Sequence, residues 1–151
     1  YLAVNTQSNS ANHGFNLITD YKKTNYICID LPEARLATKN KFDSPEFIAT
    51  KIMPKMNKFK YFGLTLGKNG SLVSNGRKVF KLESFTNNVV DTMGAGDVFF
   101  VLTSIFAYLK YDIGEIALIG NCAGCLKVKI LGHQKKIEKE DFYSLLKTVL
   151  M

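Results

Sequence analysis

The chain has 151 residues, 46% of them hydrophobic, with 11 phenylalanines and three dispersed cysteines. That is enough apolar mass for one packed domain, and it excludes a disordered tail and a disulfide scaffold. The formal net charge of +7, from 20 Lys and Arg against 13 Asp and Glu, is spread along the chain as on a solvated surface. It shows no basic–aromatic interleaving that would point to nucleic acid. Leu2 to Asn5 reads as a short buried strand, and the chain opens on Tyr1 inside an apolar run, as if cut within a folded protein. A polar stretch, TQSNSANHG, leads to a helical turn in GFNLITDY. YICID, Tyr26 to Asp30, is a second strand. Pro32 and Glu33 open a short helix through Leu36.

Ser44 is a good N-cap for a helix in SPEFIATKIMPKM, with Phe47, Ile48 and Ile52 on one face; Pro54 is expected to end or kink it. YFGLTL, Tyr61 to Leu66, is a third strand, and GKNG after it is a turn. SLVSNGRKVFKLESF reads as a hairpin turning at Asn75-Gly76. Long helices are expected from Ala95 to Leu109 and from Ile113 to about Val128. A last amphipathic helix places Phe142, Leu145, Leu146 and Leu150 on one side. The longest apolar run, Val98 to Leu109, has 12 residues and is too short to span a membrane. Strand–helix alternation argues an α/β fold with a mainly parallel sheet flanked by helices, plus the hairpin.

Cys122 and Cys125 form an isolated C-x-x-C inside an apolar helix and read, with Cys28, as packing residues. A reducing, cytoplasmic setting follows. His13 and His133 have no partners at metal or triad spacing and read as surface histidines.

The chemistry concentrates in DTMGAGD, Asp91 to Asp97, at the mouth of the first long helix. A helix start exposes backbone N–H groups with no partner inside the helix, and the helix dipole favours anions there. Gly94, Ala95 and Gly96 leave that backbone nearly bare, as an anion hole requires. Asp97 has two readings. It either complements the dipole, or acts as a general base that accepts a hydroxyl proton beside a transferring phosphoryl group.

DTMGAGD resembles the second signature of the PfkB/ribokinase family of carbohydrate kinases. TLGKNG (Thr65 to Gly70) resembles that family's T-x-G-x-x-G nucleotide loop, and DLPE (Asp30 to Glu33) its N-x-x-E motif. GNCAGCLKV (Gly120 to Val128) resembles its late nucleotide-pocket helix. The resemblance covers all 151 residues and implies a ribokinase-like fold, truncated on the N-terminal side, in which residues 1–151 are the nucleotide-binding part. It implies ATP-dependent phosphorylation of a sugar or sugar phosphate hydroxyl, with Asp97 as base and Gly94, Ala95 and Gly96 as anion hole. Asn5, Thr65, Gly67, Gly70 and Asn121 would belong to the ATP site. Glu33 would act through Mg2+ and its waters, and Asp91 would stand where many members bind a monovalent cation such as K+. Asp30 departs from the usual Asn, and Val98 and Leu102 from the usual small residues. LAVNTQSNSANHGFNLI with YICIDLPEARLA resembles the kinase halves of bifunctional ADP-heptose synthases, whose sugar is a heptose 7-phosphate.

The implied partners are a small sugar or sugar phosphate, with no nucleic acid and no membrane. Self-association through uncovered apolar sheet is expected, and the 151 residues alone are expected to bind nucleotide weakly and to lack sugar turnover. Two alternatives share the motifs: a kinase of a non-sugar alcohol such as a nucleoside or vitamin, and a non-catalytic nucleotide-binding module.

Overall fold

The structure, a computed structural model, describes residues 1–132 and 134–151. The surface reading of His133 therefore lies outside the described residues, while His13 is exposed. Five strands form one sheet in chain order: β1 (Ala3–Val4), β2 (Tyr26–Asp30), β3 (Tyr61–Thr65), β4 (Ser71–Ser74) and β5 (Val79–Leu82). The sheet is mixed. β1, β2 and β3 run parallel, and β4 and β5 each pair antiparallel to their predecessor. The hairpin at Asn75-Gly76 supplies one antiparallel pair. The β3–β4 pair was not legible in advance. Its cause is the short connection through a 3-10 turn, Gly67–Asn69, because a parallel return needs a crossover of a dozen or so residues.

Successive side chains on a strand point to opposite faces. Ile27 and Ile29 therefore join Phe62, Leu64, Ile48 and Met53 on one face of the sheet. Tyr26 and Cys28 join Val73, Phe99, Ile116 and Ala117 on the other. The first face is covered by α1 (Leu31–Thr38) and by a helical segment that begins with α2 (Pro45–Phe47) and ends with α3 (Met53–Met56). Ser44 caps that segment, its Oγ accepting from Phe47 N–H at 3.1 Å. Pro54 does not end it. A π turn, Ile48–Ile52, intervenes, with Met53 N–H reaching back to Ile48 C=O, and the helix runs on past the proline.

The second face is covered by α4 (Ala95–Tyr108) and α5 (Ile113–Lys127), which pack on each other. Gly120 lets them approach: a Cβ there would lie 2.3 Å from Phe99 Cε2. The outer face of α4 leaves Val101, Ile105 and Tyr108 exposed. Phe80 on β5 is exposed as well, and so are Tyr1 and Leu2 beside β1. α6 (Lys139–Leu150) half-buries Phe142, Leu145, Leu146 and Val149, whereas Leu150 is exposed. The three cysteines are free and buried. Among the described residues, no helix is long and apolar enough to cross a membrane.

Candidate active site

The carboxyl ends of β1, β2 and β3 open into a cleft of about 230 Å³, the place where α/β sheets hold ligands. Asn5 follows β1, Asp30 ends β2 and Thr65 ends β3; all three line it. Gln7 and Ser8 close one side, and Gly94, Gly96 and Asp97 at the start of α4 close the other.

Glu33 is held in this cleft by local chain geometry. Asp30 caps α1, its Oδ1 accepting from Glu33 N–H at 2.7 Å, and Glu33 Oε2 accepts from Asp30 N–H at 3.0 Å. This reciprocal capping box explains DLPE in purely structural terms. It leaves Glu33 Oε1 to accept from Ser8 N–H at 2.9 Å, which ties the segment after β1 to α1. Burial pushes the Glu33 carboxyl above its usual range, and the two amide donors oppose that rise.

Gly94 is the N-cap of α4, with φ +73° in the left-handed region that glycine enters without penalty. Ala95 N–H folds back onto Thr92 C=O at 3.2 Å. Gly96 and Asp97 N–H, in the first turn of a 14-residue helix, find no acceptor among the described residues. A Cβ on Gly96 would meet nothing within 4 Å. The bare backbone therefore faces open space, and of the three small residues Ala95 has its amide already engaged. Asp97 is exposed, and its carboxylate has no hydrogen-bond partner among the described residues.

The remaining candidates lie outside the lining of this cleft. Gly67 is exposed, with φ +59°. Gly70, at φ +87°, has a structural need for glycine, since a Cβ would lie 2.0 Å from Leu82 C=O. Asn121 is buried in a clamp: its Oδ1 meets Ser71 Oγ at 2.7 Å and its Nδ2 donates to Glu83 C=O at 2.9 Å. Asp91 caps its own turn, Oδ1 accepting from Met93 N–H at 2.9 Å and Oδ2 from Gly132 N–H at 2.8 Å. Those amides, with the Lys127 charge adding to them, hold its carboxyl below the usual range. The sequence reading missed Gln7 and Ser8 in the cleft and Lys127 beside Asp91. Ser8 acts through its own backbone N–H on the Glu33 carboxylate 25 residues away, and Lys127 on a backbone carbonyl five residues away; no side-chain pattern announces either.

Comparison with known proteins bears on the family and the fold. The profile of the pfkB family of carbohydrate kinases matches residues 7–140. An ATP-dependent 6-phosphofructokinase from Thermoanaerobacterium thermosaccharolyticum is 42% identical over 69 residues, 46% of this chain and 21% of that protein. Ribokinase from Thermotoga maritima superposes with a TM-score of 0.70 at 26% identity, covering 82% of this chain and 42% of its own. Phosphofructokinase-2 from Escherichia coli, in complex with potassium, superposes with a TM-score of 0.79 over 99% of this chain and 47% of its own. At 14% identity it speaks for the fold alone. The chain thus spans less than half the length of these relatives.

Proposed function

Because the chain belongs to the pfkB family of carbohydrate kinases, we propose that it carries the phosphate-binding and catalytic-base part of an ATP-dependent kinase acting on a sugar or sugar phosphate hydroxyl. The observation that carries this reading is one juxtaposition. A carboxylate without a hydrogen-bond partner among the described residues, Asp97, stands beside amides that also have none there, at the start of a 14-residue helix in a cleft at the carboxyl ends of the parallel strands.

The residues fit a nucleotide's phosphates. The free N–H groups of Gly96 and Asp97 and the positive end of α4 match an anion, and nothing fills the space over Gly96. They also fit a largely hydrated Mg2+. No group of three His, Cys, Asp or Glu that could hold a metal occurs among the described residues. Mg2+ ordinarily keeps several waters and takes one or two carboxylates plus substrate phosphates. Glu33, its two oxygens each fixed by one amide, is oriented to accept from such waters. When bound, ATP supplies the phosphoryl group and Mg2+ offsets its charge.

The rest is the work of this chain. Asp97 would accept the proton of the acceptor hydroxyl at its carboxylate as the new O–P bond forms and the bond from that phosphorus to the departing ADP breaks. The Gly96 and Asp97 amides steady the charge of the transferring group, and Gly94 sets their direction. Asn5 and Thr65 line the same cleft as polar donors. Gly67, Gly70 and Asn121 shape its approach from the β3–β4 side, where Asn121 holds β4 to the segment after β5. The relatives named above are kinases of ribose and fructose phosphate type. A heptose 7-phosphate remains one acceptor to test within the wider sugar class.

The experiment is a kinase assay with ATP and Mg2+ on the protein at its natural length, across sugars, sugar phosphates, nucleosides and vitamin alcohols. Turnover concentrated on a sugar or sugar phosphate supports the reading. Turnover confined to a nucleoside or vitamin, or none on any acceptor, contradicts it.

A further inference from the structure

The residues around Asp91 do not fit a monovalent cation, because an ammonium group is already built in there. Lys127, at the end of α5, is 5% exposed. Lysines are rarely buried to that extent without a partner. Its Nζ donates to Gly132 C=O at 2.7 Å, and Gly132 N–H donates to Asp91 Oδ2 at 2.8 Å. One residue, Gly132, thus joins the ammonium on one side to the carboxylate on the other. The chain closes the same loop a second time. Val90 and Asp91 N–H both donate to Val128 C=O, at 2.8 and 3.1 Å, immediately after Lys127.

The arrangement leaves a K+ ion little to do. It would need oxygen ligands, yet it would have to share Gly132 C=O with the ammonium, and each Asp91 oxygen with an amide that already satisfies it in part. It would also sit close to a fixed positive charge, which repels it. We propose that Lys127 is a positioning residue, whose ammonium takes the place of a monovalent cation in holding the Asp91–Gly94 turn, and so the start of α4, in place. The purpose of that turn rests on the kinase reading. The contacts that hold it do not.

The test therefore avoids turnover. Thallium(I), a potassium mimic with its own NMR signal, is titrated into the unaltered chain. The expected result is no saturable bound signal and equal melting temperatures in KCl and choline chloride at matched concentration. A saturable thallium signal displaced by K+, or stabilisation specific to K+, would overturn the proposal. In parallel, amide hydrogen exchange is followed in Lys127→Met and Lys127→Arg. Exchange across 91–97 should speed about tenfold or more in Lys127→Met, as a lost local restraint predicts, and return toward normal in Lys127→Arg. Unchanged exchange in Lys127→Met would also overturn it. If Lys127→Met does not fold, the thallium titration of the unaltered chain decides alone. Because neither readout involves phosphoryl transfer, failure here leaves the kinase reading standing, and the reverse is equally true.

Discussion

Tyr26 Oη and Thr103 Oγ1 lie 2.7 Å apart in a buried hydrogen bond between β2 and α4. Thr103 Oγ1 is also 2.6 Å from Phe99 C=O, so it donates to that carbonyl and accepts from Tyr26. Tyr26 fits there because β3 carries Gly63, the register partner of Cys28, where a Cβ would lie 2.4 Å from the Tyr26 hydroxyl. Two turns of α4 separate this strut from Asp97. It fixes the helix against the strand whose last residue, Asp30, lines the cleft.

The two halves of the strut should differ in cost. Tyr26→Phe loses one hydrogen bond and leaves Thr103 paired with Phe99, for about 1 kcal/mol. Thr103→Val strands a buried phenol, for about 1–3 kcal/mol. Urea denaturation of both variants measures this. Equal losses would show that the tyrosine hydroxyl has another strong partner.

Gly96 and Gly120 should respond in opposite ways. Gly120→Ala drives a methyl into the Phe99 ring and should cost about 1–3 kcal/mol of stability. Gly96→Ala enters open space at a helical position and should leave stability unchanged or raise it by up to about 1 kcal/mol. It should nonetheless weaken phosphate binding, and Gly96→Val more so, because the side chain covers the free amides. Thermal melts together with ATP titration separate the two effects. Normal ATP binding by a folded Gly96→Val protein would remove these amides from the site.

Glu33 should titrate above the ordinary carboxylate value of 4.5. The folded chain then holds this proton to a higher pH than the unfolded chain does. Its contribution to stability is therefore greatest below the unfolded value and falls as pH rises through the raised folded value. Carboxyl carbon NMR of the folded chain, compared with Glu33→Gln melts across that window, checks the sign. A folded pKa below 4.5 would reverse it.

The cysteines should be inert in the folded chain. Burial pushes Cys28 up to about 12 and Cys122 up to about 11, so neither forms thiolate near neutral pH. Iodoacetamide should label all three only after denaturant is added. Rapid labelling of Cys28 in native buffer would show that the cleft floor opens.

Legibility followed the range of each interaction. The helix start in DTMGAGD could be read because glycine and carboxylate adjoin it, and the start of α1 because Pro32 and Glu33 mark it; the capping box between Asp30 and Glu33 was not read. The strands β2 and β3 could be read because both faces are buried and the apolar runs are unbroken. What escaped was long-range or backbone-borne. Gly132 and Asp91 are 41 residues apart and meet through an amide. The dual use of Asn121 depends on where β4 and β5 end against α5. The π turn before Pro54 is one of two ways to absorb a proline, and the local sequence favours neither.

The measurement that tests the central claim most directly is kcat of Asp97→Asn beside its affinity for ATP, in the protein at its natural length and on its best acceptor. Loss of a general base should lower kcat by about 10²–10⁴. The exposed carboxylate makes no structural hydrogen bond among the described residues, so the fold and ATP affinity should be retained. Near-normal turnover by a folded Asp97→Asn protein would contradict the account.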